Sequence, residues 1–192
     1  MQTSTAQLFT DARTHNAWTD QPVTEAELRQ IYELMKWGPT AANTCPLRIR
    51  FLTSPEAKAR LVPLMNPNNQ AKTGAAPAVA ILGMDLEFFE QLPMLYPQTD
   101  ARSWFVGKPE LEIERAARLN AGLQAGYFIM AARSIGLDCG PMGGFDAAAV
   151  DAAFWAGSQV RSIVVVNLGH GDAAGLRPRN PRLDFDAACA VL

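Results

Sequence analysis

Hydrophobic and polar positions along the chain change period several times, and each change predicts an element. In "EAELRQIYELMKWG" the apolar residues recur at helical spacing, and Thr24 with Glu27 three residues on forms a capping pair. Together they predict a helix over residues 24–37. "LRIRFLTS" alternates with a period of two and reads as a strand, whereas "SPEAKARLVPLM" places Pro55 in the first turn of a short helix. "PAVAILGMD" and "RSIVVVNLGHGD" are continuous apolar runs, the pattern of strands buried on both faces. The longest helical pattern covers residues 109–135. It is amphipathic at first and later apolar on most faces, as expected of a helix buried in the middle of a fold or at a subunit interface. "GLDCGPMGGFD" reads as a helix stop and a loop, a short helix follows over residues 147–155, and the basic tail ends in a last short helix. Helices and strands alternate without repeats, so the class is α/β or α+β around a central sheet.

Two stretches break this regularity. "KWGPTAANTCPLRIRFL" passes from helix to strand through Gly-Pro, five small or polar residues and a second Pro. A turn needs only two or three such residues, so this spacing predicts a backbone lying against something flat. Residues 85–110 are irregular and aromatic, with Phe88, Phe89, Tyr96, Trp104 and Phe105 broken by Pro93, Pro97 and Gly107, and they predict a flexible helical cap over a site.

Composition narrows the partners. The 192 residues, 48% of them hydrophobic, suffice for one domain over the whole length. A formal net charge of -2 with scattered Lys and Arg gives neither a nucleic-acid groove nor an anionic membrane surface, leaving a small molecule or another copy of the chain as partner. No apolar run follows a basic start and none reaches membrane-spanning length, so the expected location is the cytoplasm. Cys45, Cys139 and Cys189 lie far apart with no CxxC and no adjacent His, and read as reduced and structural, with no metal site. Walker, HExxH and GxSxG patterns are missing, and "GPMGGF" is not the dinucleotide fingerprint. His15 and His170 have no acid partner in sequence, which disfavours Ser-His-Asp hydrolysis. Cys45 has no neighbour to lower its pKa as a nucleophile requires.

The remaining candidate chemistry is a set of Arg, Asn, Lys and Gly positions in "RTHNAW", "GPTAAN", "NNQAK", "GPMGGF" and "RPRNP". Arg suits a phosphate through paired N–H donors, and Gly with exposed backbone N–H groups suits close approach to a flat heteroaromatic ring. Singly, each segment is a surface charge, a helix stop or a loop; in this order they describe one ligand having both parts.

In order and spacing these segments resemble the nitroreductase family of FMN-dependent oxidoreductases over essentially the whole chain. "FTDARTHNAW", "LMKWGPTAAN", "DARSWF", "GLDCGPMGGFD" and "LGHGD" are similar to its malonic semialdehyde reductase, HadB/RutE-like, branch associated with pyrimidine breakdown. The resemblance implies an α+β fold with a central mixed, mainly antiparallel sheet flanked by helices, in an intertwined homodimer with FMN at the interface. It places Pro39, Thr40, Ala41 and Asn43 against one face of the flavin ring from the partner subunit. Arg13, Thr14 and His15 fall on the segment that grips the phosphate and ribityl chain, with Arg177 and Arg179 adding charge. The family's motif there begins with paired Arg, which Thr14 and His15 replace in this chain. Asn69 and Lys72 match the pyrimidine edge, where a Lys stabilises the anionic reduced ring. Pro141, Met142, Gly143 and Gly144 would pass its N5 edge, with Gly143 standing where many relatives carry Glu.

The activity implied is ping-pong hydride transfer from NADPH or NADH through FMN to malonic semialdehyde, giving 3-hydroxypropanoate. Arg102, beside Trp104 and Phe105, is the candidate for the substrate carboxylate, set against a surface ion pair with Asp100. Two other readings stand: a broad nitroarene or quinone reductase, and a flavin-binding sensor without turnover.

Overall fold

The computed structural model describes residues 4–192; the reading of the start as leaderless rests partly on residues 1–3, which lie outside them. Among the described residues no helix is long and apolar enough to cross a membrane. In chain order the elements are α1 (Glu25–Met35), β1 (Leu47–Leu52), α2 (Pro55–Leu61), α3 (Pro67–Ala75), β2 (Ala78–Asp85), α4 (Leu92–Leu95), α5 (Glu110–Ser134), β3 (Asp138–Met142), α6 (Ala147–Phe154), β4 (Val160–Gly169) and α7 (Phe185–Ala188).

The strands form one sheet in the order β1-β2-β4-β3, every neighbouring pair antiparallel. Its one parallel contact among the described residues is an isolated bridge from Thr14 to Cys139. Strand β2 is central and alternates between two cores. Ala78, Ala80, Leu82 and Met84 face a cluster with Ile31 and Met35 of α1 and Ala117, Ala121 and Phe128 of α5. Val79 and Ile81 face a second cluster with Leu61, Met65, Val150 and Trp155. Burial on both faces explains the unbroken apolar run of β2, because neither face of the pleat meets water.

Helix α1 starts with the expected capping box: Glu27 N–H donates to Thr24 Oγ1 at 3.2 Å, and Thr24 N–H donates to Glu27 Oε2 at 2.7 Å. The Thr24 N–H bond holds the Glu27 carboxyl below its usual range, since it favours the charged form. The 25 residues of α5 cross the first face of the sheet. Two elements differ from the sequence reading. "GLDCGPMGGFD" is not all loop: residues 138–142 pair with β4 as an edge strand, which tolerates Pro141 because an edge need not donate on its outer side. "NNQAK" lies in α3, a helix whose polar surface gave no apolar period to read. The aromatic cap over residues 86–108 is a series of short helical turns, fastened by Phe88 edge-on to Phe105 at 4.8 Å between ring centres.

Phe128 of α5 is fully buried and stacks on Phe51 of β1 at 6.1 Å. Phe128→Ala is expected to lower unfolding free energy by about 3–5 kcal/mol. Urea denaturation measures this, and a loss below about 1 kcal/mol would show that α5 is not seated on the sheet as described.

Candidate active site

The segment after residue 10 is laid across one end of the sheet by backbone bonds. His15 N–H donates to Cys139 O at 3.4 Å, Thr19 N–H to His170 O at 2.9 Å, and Asp172 N–H to Ala17 O at 3.0 Å. This places Arg13, Thr14 and Asn16 on a cavity of about 320 Å³ that Arg133, Arg177, Arg179 and Arg182 also line. Arg13 donates to the Arg177 carbonyl, and Arg179 donates to the Thr10 and Ala12 carbonyls at 2.8 and 3.0 Å. Like charges around one cavity repel, and an anion accepting several charge-assisted bonds offsets that cost.

A second cavity of about 890 Å³ adjoins it, sharing Asn16 and Arg177 and lined further by Trp18, Asn69, Lys72 and Gly175. Helix α3 is fixed there by its neighbours. The Gly144 carbonyl accepts from Asn66 N–H at 3.0 Å and Asn69 Nδ2 at 2.9 Å, and Asp146 N–H donates to Leu64 O at 2.8 Å. Asn167, fully buried on β4, donates to the Lys72 carbonyl at 3.2 Å. A Cβ on Gly144 would stand 2.7 Å from Asn69 Nδ2, so a larger residue would displace the amide that docks this loop on α3; at Gly143 the same space is open. Met142 is buried and accepts from the Thr73 hydroxyl at 3.8 Å, so it offers a ligand only its backbone. The buried Trp18 Nε1 has no hydrogen-bond partner among the described residues.

His15 corrects two expectations. It lines neither cavity, and it has an acid partner, Asp138, with His15 Nε2 at 3.5 Å from Asp138 Oδ1. Asp138 also accepts from Gly171 N–H at 2.9 Å, and a Cβ at Gly171 would lie 2.0 Å from His15 Nδ1. The imidazole therefore braces the Arg13 segment from behind. Sequence could not pair the two residues because the contact is made across the sheet end.

The stretch "GPTAANTC" is folded into an unusual backbone. Ala42, Asn43 and Cys45, none of them glycine, have φ of 48°, 50° and 41°. Left-handed conformations at such residues are costly and persist only where the surroundings over-determine them. Here α5 supplies three bonds from one face: Asn120 Oδ1 accepts from Ala41 N–H at 2.7 Å, Gln124 Oε1 from Leu47 N–H at 2.9 Å, and the Tyr127 hydroxyl donates to Pro39 O at 3.0 Å. Within the loop, Cys45 N–H donates to Thr40 Oγ1 and Cys45 Sγ to Asn43 Oδ1, each at 3.2 Å, and Asn43 Nδ2 reaches Leu95 O at 2.8 Å. Pro39 and Asn43 open on a cavity of about 350 Å³ that shares no lining residue with the first two. Within one chain the structure thus joins Arg13, Thr14, Arg177 and Arg179 to Asn69 and Lys72, and leaves Pro39, Thr40, Ala41 and Asn43 apart.

Arg102 also departs from expectation. Its Nε and Nη2 donate to the two Glu90 oxygens, each at 2.8 Å, and not to Asp100, whose carboxylate instead accepts from Ser103 N–H at 3.3 Å. The Glu90 hydrogen bonds push the Arg102 pKa up, and the same bonds hold the Glu90 carboxyl below its usual range. The neighbour in sequence was the wrong partner because the turn at residues 101–104 carries the guanidinium toward residue 90.

Residues 10–170 match the nitroreductase family model. The chain belongs to that family. Similar relatives include one from Leptothrix cholodnii, 64% identical over 187 residues that cover 97% of this chain and 94% of the relative. Another, from Burkholderia lata, is 58% identical over 180 residues covering 94% and 92%. Both are provisionally named NADH dehydrogenase/NAD(P)H nitroreductase. Among solved structures, a provisionally named nitroreductase from Exiguobacterium sibiricum, in complex with FMN, superposes with a TM-score of 0.89 at 22% identity, covering 100% of this chain and 99% of that one. One from Bacillus subtilis reaches 0.88 at 22% identity, covering 97% and 98%.

A Cβ at Gly38 would fall 2.1 Å from the Tyr127 ring. Gly38→Ala should cost about 1–3 kcal/mol of stability by overpacking, and Tyr127→Ala in the same chain should recover part of it. A double-mutant cycle by denaturation reads the coupling, and strictly additive losses would contradict the contact.

Proposed function

We propose that this chain is an FMN-dependent NAD(P)H oxidoreductase of the cytoplasm, and that its physiological substrate is malonic semialdehyde, reduced to 3-hydroxypropanoate in pyrimidine breakdown. The observation that carries the first part is the pairing of an arginine-lined cavity with an adjoining one that holds Asn69 and Lys72. The donor set fits FMN: guanidinium groups for a phosphate, amides and an indole N–H for the ribityl chain and ring edge, and glycines where a flat ring must come close. Among the described residues no hydrogen bond or ion pair engages the side chains of Lys72 and Arg177, which leaves both to a ligand. The relatives' names, and the FMN held by the Exiguobacterium structure, point the same way.

When bound, FMN supplies hydride acceptance and donation at its N5. Arg13 and Arg177 would hold the phosphate, and Arg179 would keep the Arg13 segment in place through its two carbonyl contacts. Lys72 would stabilise negative charge at the pyrimidine edge of the ring, its position set by Asn167 and, among the described residues, no carboxylate pairing with it. Asn69 would serve that edge through its free oxygen, since its N–H₂ group is engaged by Gly144. Pro39, Thr40, Ala41 and Asn43 would cover the ring from a second copy of the chain. Their distance from the other cavities in one protomer supports this, as do the exposed Trp37, Leu119 and Leu123, which a monomer would leave in water. Nicotinamide and substrate would then occupy one pocket in turn.

The substrate rests on the motif resemblance and on Arg102. The Glu90–Arg102 pair is solvent-exposed, and such pairs contribute little, so a substrate carboxylate can take the place of Glu90. A broad nitroarene or quinone reductase is the second reading. It is favoured by the same pair, because a guanidinium already satisfied leaves an aromatic cap that accepts planar, uncharged electrophiles.

Steady-state kinetics of the FMN-reconstituted protein should give parallel double-reciprocal lines for NADPH or NADH against malonic semialdehyde; intersecting lines would remove the shared-pocket scheme. Arg102→Ala should raise KM for malonic semialdehyde on the order of tenfold with KM for a quinone unchanged, and Glu90→Gln should lower the former. Equal changes for both substrates would reduce the pair to a clip within the cap and favour the second reading.

A further inference from the structure

The inner face of α5 is built of small apolar residues where it meets the sheet, with Ala117 and Ala121 both fully buried. Asn120 interrupts it. Its side chain is 3% exposed, and an amide taken out of water costs stability unless every polar atom finds a partner. Asn120 Nδ2 turns back to the Ala116 carbonyl of its own helix at 2.9 Å, which frees Oδ1 to point outward at Ala41 N–H, 2.7 Å away. The side chain is thus oriented by one bond in order to make the other. An Ala or Leu would serve the helix and its packing better.

Ala41 is the residue at which the loop turns. It opens the short 3₁₀ turn over Ala41–Asn43, closed by Asn43 N–H to Thr40 O and Thr44 N–H to Ala41 O, each at 3.1 Å. The residues following it, Ala42 and Asn43, are left-handed. Fixing the direction of the Ala41 N–H fixes the plane of the preceding peptide, and with it the side of the loop on which Thr40 and Ala41 present their backbone.

We propose that Asn120 is a positioning residue that sets the conformation in which residues 39–43 meet the flavin. It rests on the flavin reading above, but acts through the Ala41 peptide and touches no ligand itself. Without its oxygen the Ala41 N–H loses the acceptor that fixes its direction, and the strained backbone of residues 41–45 relaxes toward ordinary φ values.

The test uses the full chain with Cys189→Ser, so that Cys45 is the reporter. Cys139 is silent, because burial pushes its thiol up to about 12. In the apo protein, labelling of Cys45 by a disulfide reagent should be on the order of tenfold faster with Asn120→Leu than with Asn120 intact. FMN affinity, read by quenching of flavin fluorescence, should fall on the order of tenfold. Asn120→Asp keeps an acceptor for Ala41 but sets an oxygen against the Ala116 carbonyl, so its affinity should fall between those of Asn120→Leu and the parent chain. Should Asn120→Leu fail to fold, Asn120→Ala carries the same two readings. Unchanged labelling, or faster labelling with unchanged FMN affinity, would overturn the proposal and leave the flavin reading standing. A parent chain that takes up no FMN would instead overturn the flavin reading, and this role with it.

Discussion

The structure depends most on a backbone that its own residues do not favour. Ala42, Asn43 and Cys45 are held with positive φ in a loop of few bulky side chains, whose own hydrogen bonds run only between neighbours within the turn. The compensation comes from α5, a long helix seated on the sheet by Phe128 and its alanines, which reaches the loop with Asn120, Gln124 and Tyr127. Those three positions recur at helical spacing, so one rigid element fixes the loop at three points along its length. One of the small residues that looked like turn punctuation is small for this reason: Gly38 lies under the Tyr127 ring.

A second constraint is electrostatic. Five arginines gather at one cavity although the chain as a whole carries a formal net charge of -2. Arg179 and Arg133 spend part of their donors on backbone carbonyls, which ties the first and last segments of the chain to the same place. Holding like charges together without an anion is unfavourable, and an anion at this cavity would offset that cost. The His15–Asp138 contact under that segment has the same purpose from the core side.

Much of this was legible in the chain. The capping box of α1, the buried strands β2 and β4, and the extent of α5 follow from period and capping alone, because each is long enough for its pattern to repeat. Strand β3 was not, since "DCGPM" is short and carries both Gly and Pro, and its pairing with β4 is made by tertiary context. The arginines, Asn69 and Lys72, which the fold gathers at two adjoining cavities, stood out in sequence because their order resembles that of a family to which the chain belongs. Asn16, Trp18, Asn120 and Asn167 did not. Asn120 and Asn167 matter because they are buried next to particular backbone atoms, and Asn16 and Trp18 because the fold sets them on a cavity wall; nothing in a sequence distinguishes an Asn that satisfies a distant backbone group from one in water. Glu90 as the partner of Arg102 was hidden for a related reason, since the cap folds back on itself and brings together residues from different turns.

The central claim is that these cavities hold a flavin that the chain uses for hydride transfer. The most direct measurement is the anaerobic absorption spectrum of the full chain mixed with FMN, washed free of unbound cofactor, and then given NADPH or NADH. A flavin band is expected to stay with the protein, bleach with the nicotinamide, and return when malonic semialdehyde or a quinone is added. A washed protein with no flavin band, or a bound flavin that neither nicotinamide can bleach, would contradict that claim.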